Sequence, residues 1–330
     1  MSAQYDVAGI GNAIVDVIFP ATDQFLLDHK IAKSVMTLID EYRAATLLAA
    51  AGQGTQTSGG SVANTMAGIA SFGGKGLYTG KVKNDSLGQV FAQDMKTIGV
   101  RFDTPMARES LPTACCIIAV TPDGNRSMNT YLGACRELNP DDIDPHAIAA
   151  ASILYVEGYL WDGEEPKAAI RKAIAAAKDA GRKVAFTLSD PFCVGRYRDE
   201  FLHLMRQDID ILFANEEEAK ALFQVETFAE ALKEAQDWKG LAALTRSEKG
   251  CVVADTKGNL VVQEAEKVKK VVDTTGAGDQ FAAGFLHGYS QGKNLGVCAR
   301  LGVIAAAEII SHYGARPETS FKTLAKNAGL

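Results

Sequence analysis

From about residue 150 onward, short apolar runs alternate with helix-period segments. ILYVEGYL (153–160), KVAFTLS (183–189), DIDILFA (208–214) and LAALT (241–245) are apolar and β-rich. The Ala-rich EEPKAAIRKAIAAAKDAG (164–181), which ends on glycine, and the 196–207 segment take the helical places between them. Strands apolar on both faces and separated by helices predict parallel β-α-β units, with the sheet covered on either side. CVVADTKGNLVVQEA (251–265) predicts a hairpin turning at Lys257-Gly258-Asn259, and KVKKVVD (267–273) a further strand that runs into a glycine-rich turn.

The first third has a different rhythm. Residues 5–19 and 113–131 read as strand pairs, the second turning at Pro122-Asp123-Gly124-Asn125, while 44–52 and 61–72 read as helices. Two separated β segments of this kind predict a small sheet beside the main α/β body. No repeat, low-complexity tract or Pro/Gly/Ser-rich linker divides the chain, so one domain over 1–330 is expected, with a β lid at about 14–40 and 108–133.

Composition narrows the partners. With 47% hydrophobic residues in 330 the chain can bury a large core, and its net charge of -6, from 34 basic and 40 acidic residues spread without runs, offers no basic face to nucleic acid. No apolar run reaches the roughly 18–20 residues of a membrane span, and the amino terminus reads as a strand instead of a leader, so a cytoplasmic location is expected. Six cysteines without a C-x-x-C pair and five scattered histidines argue for reduced thiols and against a zinc site.

Three glycine-rich places carry candidate chemistry. Gly276-Ala277-Gly278 stands between a β run and the helical pattern DQFAAGFLHGY, where small residues let backbone N–H groups approach an anion at a helix start. Asp279 in that first helical turn either complements the helix dipole or serves as a general base that takes a hydroxyl proton while the amides face a phosphate. Asn215-Glu216-Glu217-Glu218 opens another helix, and its spacing suits a capping box as well as a water-mediated Mg²⁺ site. In SGGSVANT (58–65), Gly59-Gly60 frees the backbone for a turn or hinge, Ser61 starts a helix, and the Asn64 amide either binds a hydroxyl pair or is simply solvated. No Gly-Lys dipeptide completes a P-loop, and the G-x-G of AGIGNAIVD lacks the third glycine and the distant acid of a dinucleotide site.

In order along the chain, GNAIVDVI, SGGSVANT, NEEEA and DTTGAGDQFAAGF resemble the signature set of the ribokinase-like carbohydrate and nucleoside kinases, the PfkB family. The resemblance covers nearly the whole chain and implies a ribokinase-like three-layer α/β/α sandwich with a small β-sheet lid. It further implies transfer of the ATP γ-phosphate to a primary hydroxyl. TLSDPFCVGRYRDEFLHLMRQDIDILFANEEEA, PTACCIIAV, DGNRSMNTYLGA and IISHYGARPE are most similar to the branch of that family that phosphorylates adenosine at its 5'-hydroxyl in purine salvage.

By that similarity Asp279 is the base, Gly276, Ala277 and Gly278 form the anion hole, and Arg126 reaches from the lid to the transferring phosphate. Asn12, Asp16, Gly59, Gly60, Ser61 and Asn64 meet the ribose. Met36, Leu38, Cys116, Leu132, Tyr159 and Phe192 surround the base, since an aromatic or apolar face suits a purine and an aldose has no such need. Asn215, Thr245, Arg246, Gly250 and Thr275 line the ATP site, Glu218 organises Mg²⁺ through water, and Asp273 matches a monovalent-cation (K⁺) site of some relatives. Tyr159 adds a hydroxyl where the mammalian enzymes carry phenylalanine, and Arg246 stands where a neutral residue is usual. The alternatives are a sugar kinase of ribokinase or fructokinase type, an inosine or guanosine kinase, and a nucleotide-binding module without chemistry. Either a monomer or a homodimer is compatible with the sequence.

Overall fold

A computed structural model describes residues 3–52, 54–238 and 240–330. Its strands run β1 Tyr5–Ile10, β2 Ile14–Pro20, β3 Met36–Leu38, β4 Thr55–Gly59, β5 Gly76–Thr79, β6 Arg101–Phe102, β7 Ala114–Val120 and β8 Arg126–Tyr131. They continue with β9 Ala151–Glu157, β10 Lys183–Thr187, β11 Ile211–Asn215, β12 Leu241–Thr245, β13 Cys251–Ala254 and β14 Leu260–Gln263. Nine form one sheet in the order β14-β13-β12-β11-β10-β9-β1-β5-β6, and five form a second in the order β3-β8-β7-β2-β4.

The large sheet is parallel from β12 to β6 and ends in the antiparallel β13 and β14. Along its central strands the side chains divide between two cores. Leu154, Val156, Val184, Phe186, Leu212 and Leu244 pack with Ile170, Phe201 and Leu222, whereas Ile153, Tyr155, Ala185, Phe213 and Ala243 pack with Met66, Phe281, Phe285 and Val303. Period-2 alternation between two buried faces is why these strands read as continuous apolar runs, and it yields the helix/sheet/helix layering expected from the sequence.

One side of the small sheet is fully packed, and the other is closed only in part, over Cys116 and Ile118 of β7. Val15, Val17, Phe19, Cys115, Ile117, Ala119 and Tyr131 are buried, and from Phe19 onward they join Ala44 and Leu47 of helix Glu41–Ala51 in a separate core. The even-numbered residues of β2, β3, β7 and β8 and the odd-numbered ones of β4 take the other face. In register across the sheet lie Thr57, Asp16, Cys116, Thr130 and Leu38.

Two expectations are corrected. Residues 5–19 do not form a strand pair, because β1 enters the centre of the large sheet between β9 and β5 while β2 crosses into the small one. Each then finds a partner on both sides, which a two-stranded ribbon could not give it. Residues 267–273 form no strand. β14 is already the sheet edge, and the Val272 N–H instead donates to the Ile310 carbonyl (2.8 Å) at the end of helix Leu295–Ile309. The hairpins expected at 122–125 and 257–259 are present, with Gly124 and Gly258 both at positive φ. The six cysteines are buried free thiols.

Candidate active site

Parallel strands deliver their loops to one edge of a sheet, and the crevice lies where the strand order reverses. Here the reversal is at β1 and β9: from β1 the chain proceeds to β5 on one side, and from β9 to β10 on the other. At the carboxyl ends of parallel strands stand Asn215 (β11) and Thr245 (β12), and just past them come Asn12 (β1) and Tyr159 (β9). Helix Ala277–Ser290 begins near the same edge and carries Asp279 in its first turn.

Asp279 is half-buried and turned away from its own helix. It accepts from Ser61 Oγ at 2.7 Å and from Asn64 Nδ2 at 3.0 Å, both on helix Ser61–Ser71. Burial raises the carboxyl pKa, while these two donors and the nearby positive charge of Arg316 oppose the rise. Because no side chain caps the helix start at Gly276, the Gly278 and Asp279 N–H groups find no acceptor among the described residues. A Cβ at Gly278 would point into open space, whereas one at Gly276, whose φ is +79°, would fall 2.6 Å from Ala315 Cβ. The result is an open cradle of main-chain donors beside a proton acceptor.

The other sugar-side residues converge on the same place. Gly60 adopts φ +96°, and a Cβ there would lie 2.1 Å from the Asn12 carbonyl. A Cβ at Gly59 would lie 2.7 Å from the Asp16 carboxylate, so glycine is what leaves that carboxylate room. Asp16 itself is pushed up to about 6 by burial, partly offset by Arg316 and Arg126. Asn64 Oδ1 is buried with no hydrogen-bond partner among the described residues, an acceptor left for a ligand hydroxyl. Cys116 shares Asp16's row on the small sheet, accepts from Thr130 Oγ1 at 3.3 Å and is raised to about 12 by burial. Leu132 follows β8 with the same parity. Met36 and Leu38 are exposed on β3, and Tyr159 is half-buried with its hydroxyl donating to the Ser189 carbonyl at 3.2 Å. Phe192 is 80% exposed in the first turn of helix Pro191–Gln207 and is not drawn into this group.

On the nucleotide side, Asn215 and Glu218 close a complete capping box. Asn215 Oδ1 accepts from the Glu218 N–H (2.9 Å), and Glu218 accepts from the Asn215 N–H (2.9 Å) and Nδ2 (2.6 Å). Burial lifts Glu218 to about 7, and no cationic side chain contributes to its environment. Thr245 pairs with Asn215 in the sheet. Arg246 is held elsewhere, donating to Glu216 Oε2 (2.9 Å) with its guanidinium 3.8 Å from the Phe228 ring centroid. Gly250 sits at φ +83°, where a Cβ would meet the Gln263 carbonyl at 2.1 Å.

Arg126 forms an ion pair with Asp273, and Arg126 Nε is left buried without an acceptor among the described residues. The Asp273 carboxylate also accepts from the Thr275 N–H (3.0 Å) and Oγ1 (2.7 Å) and from the Gly314 N–H (2.9 Å). A carboxylate already ringed by donors is a poor ligand for K⁺, and this geometry gives the monovalent-cation expectation no support. Among the described residues no group of three or more His, Cys, Asp or Glu side chains is arranged to hold a metal.

Two residues here were not anticipated. Glu157 is fully buried at the end of β9, accepts from the Asn12 N–H and Nδ2 (both 2.8 Å) and from the Val62 N–H (3.0 Å), and is lifted to about 7 by burial. A carboxylate interrupting the apolar run ILYVEGYL was the available signal. Arg316 is the other, and no local pattern marked it. A cavity of about 610 Å³ between residues 266–270 and helices Leu295–Ile309 and Phe321–Asn327 is lined by none of the predicted site residues.

The family model for pfkB family carbohydrate kinases matches residues 29–321. This chain belongs to the pfkB family. An adenosine kinase of Sinorhizobium meliloti is 49% identical, with a TM-score of 0.90, over 99% of this chain and 100% of that one. A Rhizobium etli structure described as a probable sugar kinase is 47% identical, also at a TM-score of 0.90, over 99% of each chain. The adenosine kinase of Saccharomyces cerevisiae is 26% identical over 92% of this chain and 94% of its own length. The pfkB chain is therefore an ATP-dependent phosphotransferase with a ribokinase-like fold, of adenosine-kinase or sugar-kinase type. No described helix is long and apolar enough to cross a membrane.

Proposed function

We propose that this kinase transfers the γ-phosphoryl group of ATP to the 5'-hydroxyl of adenosine, giving AMP and ADP. The observation that carries the chemistry is the placement of Asp279: a carboxylate with raised pKa, held by Ser61 and Asn64, next to unpaired N–H groups of an uncapped helix. In this reading Asp279 takes the 5'-hydroxyl proton as that oxygen bonds to phosphorus, and the bond to the ADP oxygen breaks. The free amides of Gly278 and Asp279, together with that of Gly276, offset the charge that develops on the phosphoryl oxygens, while the Ala277 N–H is turned to the Thr274 carbonyl (3.2 Å). Arg126 exchanges Asp273 for the phosphate as the small sheet closes, which would relieve its orphaned Nε.

Asp16, Asn12, Gly60 and Asn64 bind the ribose hydroxyls, Asp16 and the free Asn64 Oδ1 as acceptors. The base meets Leu38, Cys116, Leu132 and Tyr159, with Met36 and Phe192 able to join on closure. Thr245, Gly250 and Thr275 border the nucleotide. Mg²⁺, when bound, neutralises phosphate charge. Glu218, a buried carboxylate without a cationic partner, suits a water-mediated contact with it, and Asn215 fixes the orientation of Glu218. The choice of a nucleoside over a free sugar rests on Cys116 and Leu38, which share Asp16's row, and on the 49% identity to the S. meliloti adenosine kinase.

Phosphorylation of adenosine, inosine, guanosine, ribose and fructose with ATP and Mg²⁺ tests this reading. Preferred turnover of adenosine is expected. Rapid turnover of ribose or fructose with none of adenosine would reassign the substrate to the sugar class, and turnover of none would reject the reading.

A further inference from the structure

Arg316 follows helix Leu295–Ile309 in the chain yet reaches into the joint between the two sheets. Its Nε and Nη2 both donate to the Ser58 carbonyl, Nη2 also donates to Ser58 Oγ (2.6 Å), and Nη1 donates to the Ala63 carbonyl (2.9 Å). Ser58 lies near the end of strand β4 of the small sheet, and Ala63 lies in the first turn of helix Ser61–Ser71 on the body. Between them stand Gly59 and Gly60, the second at positive φ. Asp94, from helix Ser86–Thr97, grips the other side of Ser58 by accepting from its N–H (2.8 Å) and Oγ.

We propose that Arg316 is a positioning residue for phosphoryl transfer, clamping both sides of the Gly59–Gly60 turn and holding a positive charge behind Asp16 and Asp279. The second half rests on the kinase reading above; the clamp does not. A guanidinium whose donors are spent on backbone carbonyls has a fixed location, so its charge acts on both carboxylates without touching substrate. It works against real opposition. Asp279 also stands near Asp16 on β2, Glu157 on β9 and Glu218 at the start of helix Glu216–Phe223, with Tyr155 and Tyr159 close by. Arg316 additionally faces Asp94 and Tyr78, and Arg126 adds its charge near Asp16. Among the groups around Asp279, Arg316 is the cation that lowers its pKa.

Arg316→Gln and Arg316→Lys, made in the full chain, separate clamp from charge. The acid limb of the kcat–pH profile is expected to move upward by about one pH unit in Arg316→Gln and to stay near its wild-type position in Arg316→Lys, because lysine keeps the charge. Both variants lose the fork and should raise the nucleoside KM by about tenfold. Hydrogen exchange of the unliganded protein gives a readout independent of turnover. Amides of residues 57–66 should exchange about tenfold faster in Arg316→Gln, with the β9–β12 amides unchanged. An unmoved acid limb in Arg316→Gln overturns the electrostatic role, and unmoved exchange overturns the clamp. Should the wild-type chain phosphorylate no nucleoside or sugar, the kinase reading and with it the electrostatic half fall, and the exchange still decides the clamp. Uniformly faster exchange in both variants would mean a general fold support and would also reject the proposal.

Discussion

Two helix openings in this molecule carry an acid at the same third position and use it in opposite ways. At helix Glu216–Phe223, Glu218 folds back on Asn215 and the two close a reciprocal capping box, so the helix start satisfies itself. At helix Ala277–Ser290, the cap is a glycine in the left-handed region, and Asp279 turns instead to Ser61 and Asn64 of a different helix. Its helix therefore keeps free N–H groups and the positive end of its dipole for something outside the chain. A carboxylate in a first turn signals an anion site only when its own helix does not consume it.

Substitutions can break this contrast. Asp279→Asn removes the base and keeps the shape; turnover should fall by at least about 10²-fold with little change in nucleoside affinity measured by calorimetry. Unchanged turnover would return Asp279 to mere dipole compensation. Gly276→Ala forces a side chain against Ala315 in a left-handed conformation and should cost about 1–3 kcal/mol in a denaturant melt. Gly278→Ala adds its methyl to empty space, so it should fold normally and instead raise the ATP KM several-fold, about 3- to 10-fold for a partly blocked cradle. Equal loss of stability in the two would mean that the cradle is closed.

Acidity sharpens the comparison further. Burial raises Asp16 to about 6 and also lifts Asp279, and both must be ionised to accept a proton or a hydroxyl. As pH falls through 6, kcat/KM should therefore drop, which a profile between pH 5 and 8 would reveal. The smallest effect is expected at the self-capped helix. Glu218→Gln loses part of the box, about 0.5–1 kcal/mol of stability, and should raise the Mg²⁺ concentration needed for half-maximal rate. An unaltered Mg²⁺ titration would leave Glu218 as a cap alone.

The sequence disclosed most where chemistry is local. The parallel strands after residue 150 and the turns at Gly124 and Gly258 follow from alternation and backbone freedom, both written in consecutive residues. Long-range placement was less legible. β1 and β2 are three residues apart and belong to different sheets, and 267–273 has a strand's pattern but no neighbour left to pair with. At the site, SGGSVANT and DTTGAGD announced themselves through glycines that a Cβ would obstruct. Arg316 did not, because its role depends on Ser58 and Ala63, some 250 residues earlier in the chain. Phe192 shows the converse: its place in a familiar stretch suggested packing against a base, yet its ring stands in solvent.

The small sheet's odd and even faces also constrain how the gene can change. Removing one codon within β2 would hand Asp16's place to a valine and drive the carboxylate into the oily core that Val15 and Val17 share with Phe91 and Met95 of helix Ser86–Thr97. Insertions and deletions in that strand should thus be survivable only in pairs, a parity rule that point substitutions there do not face.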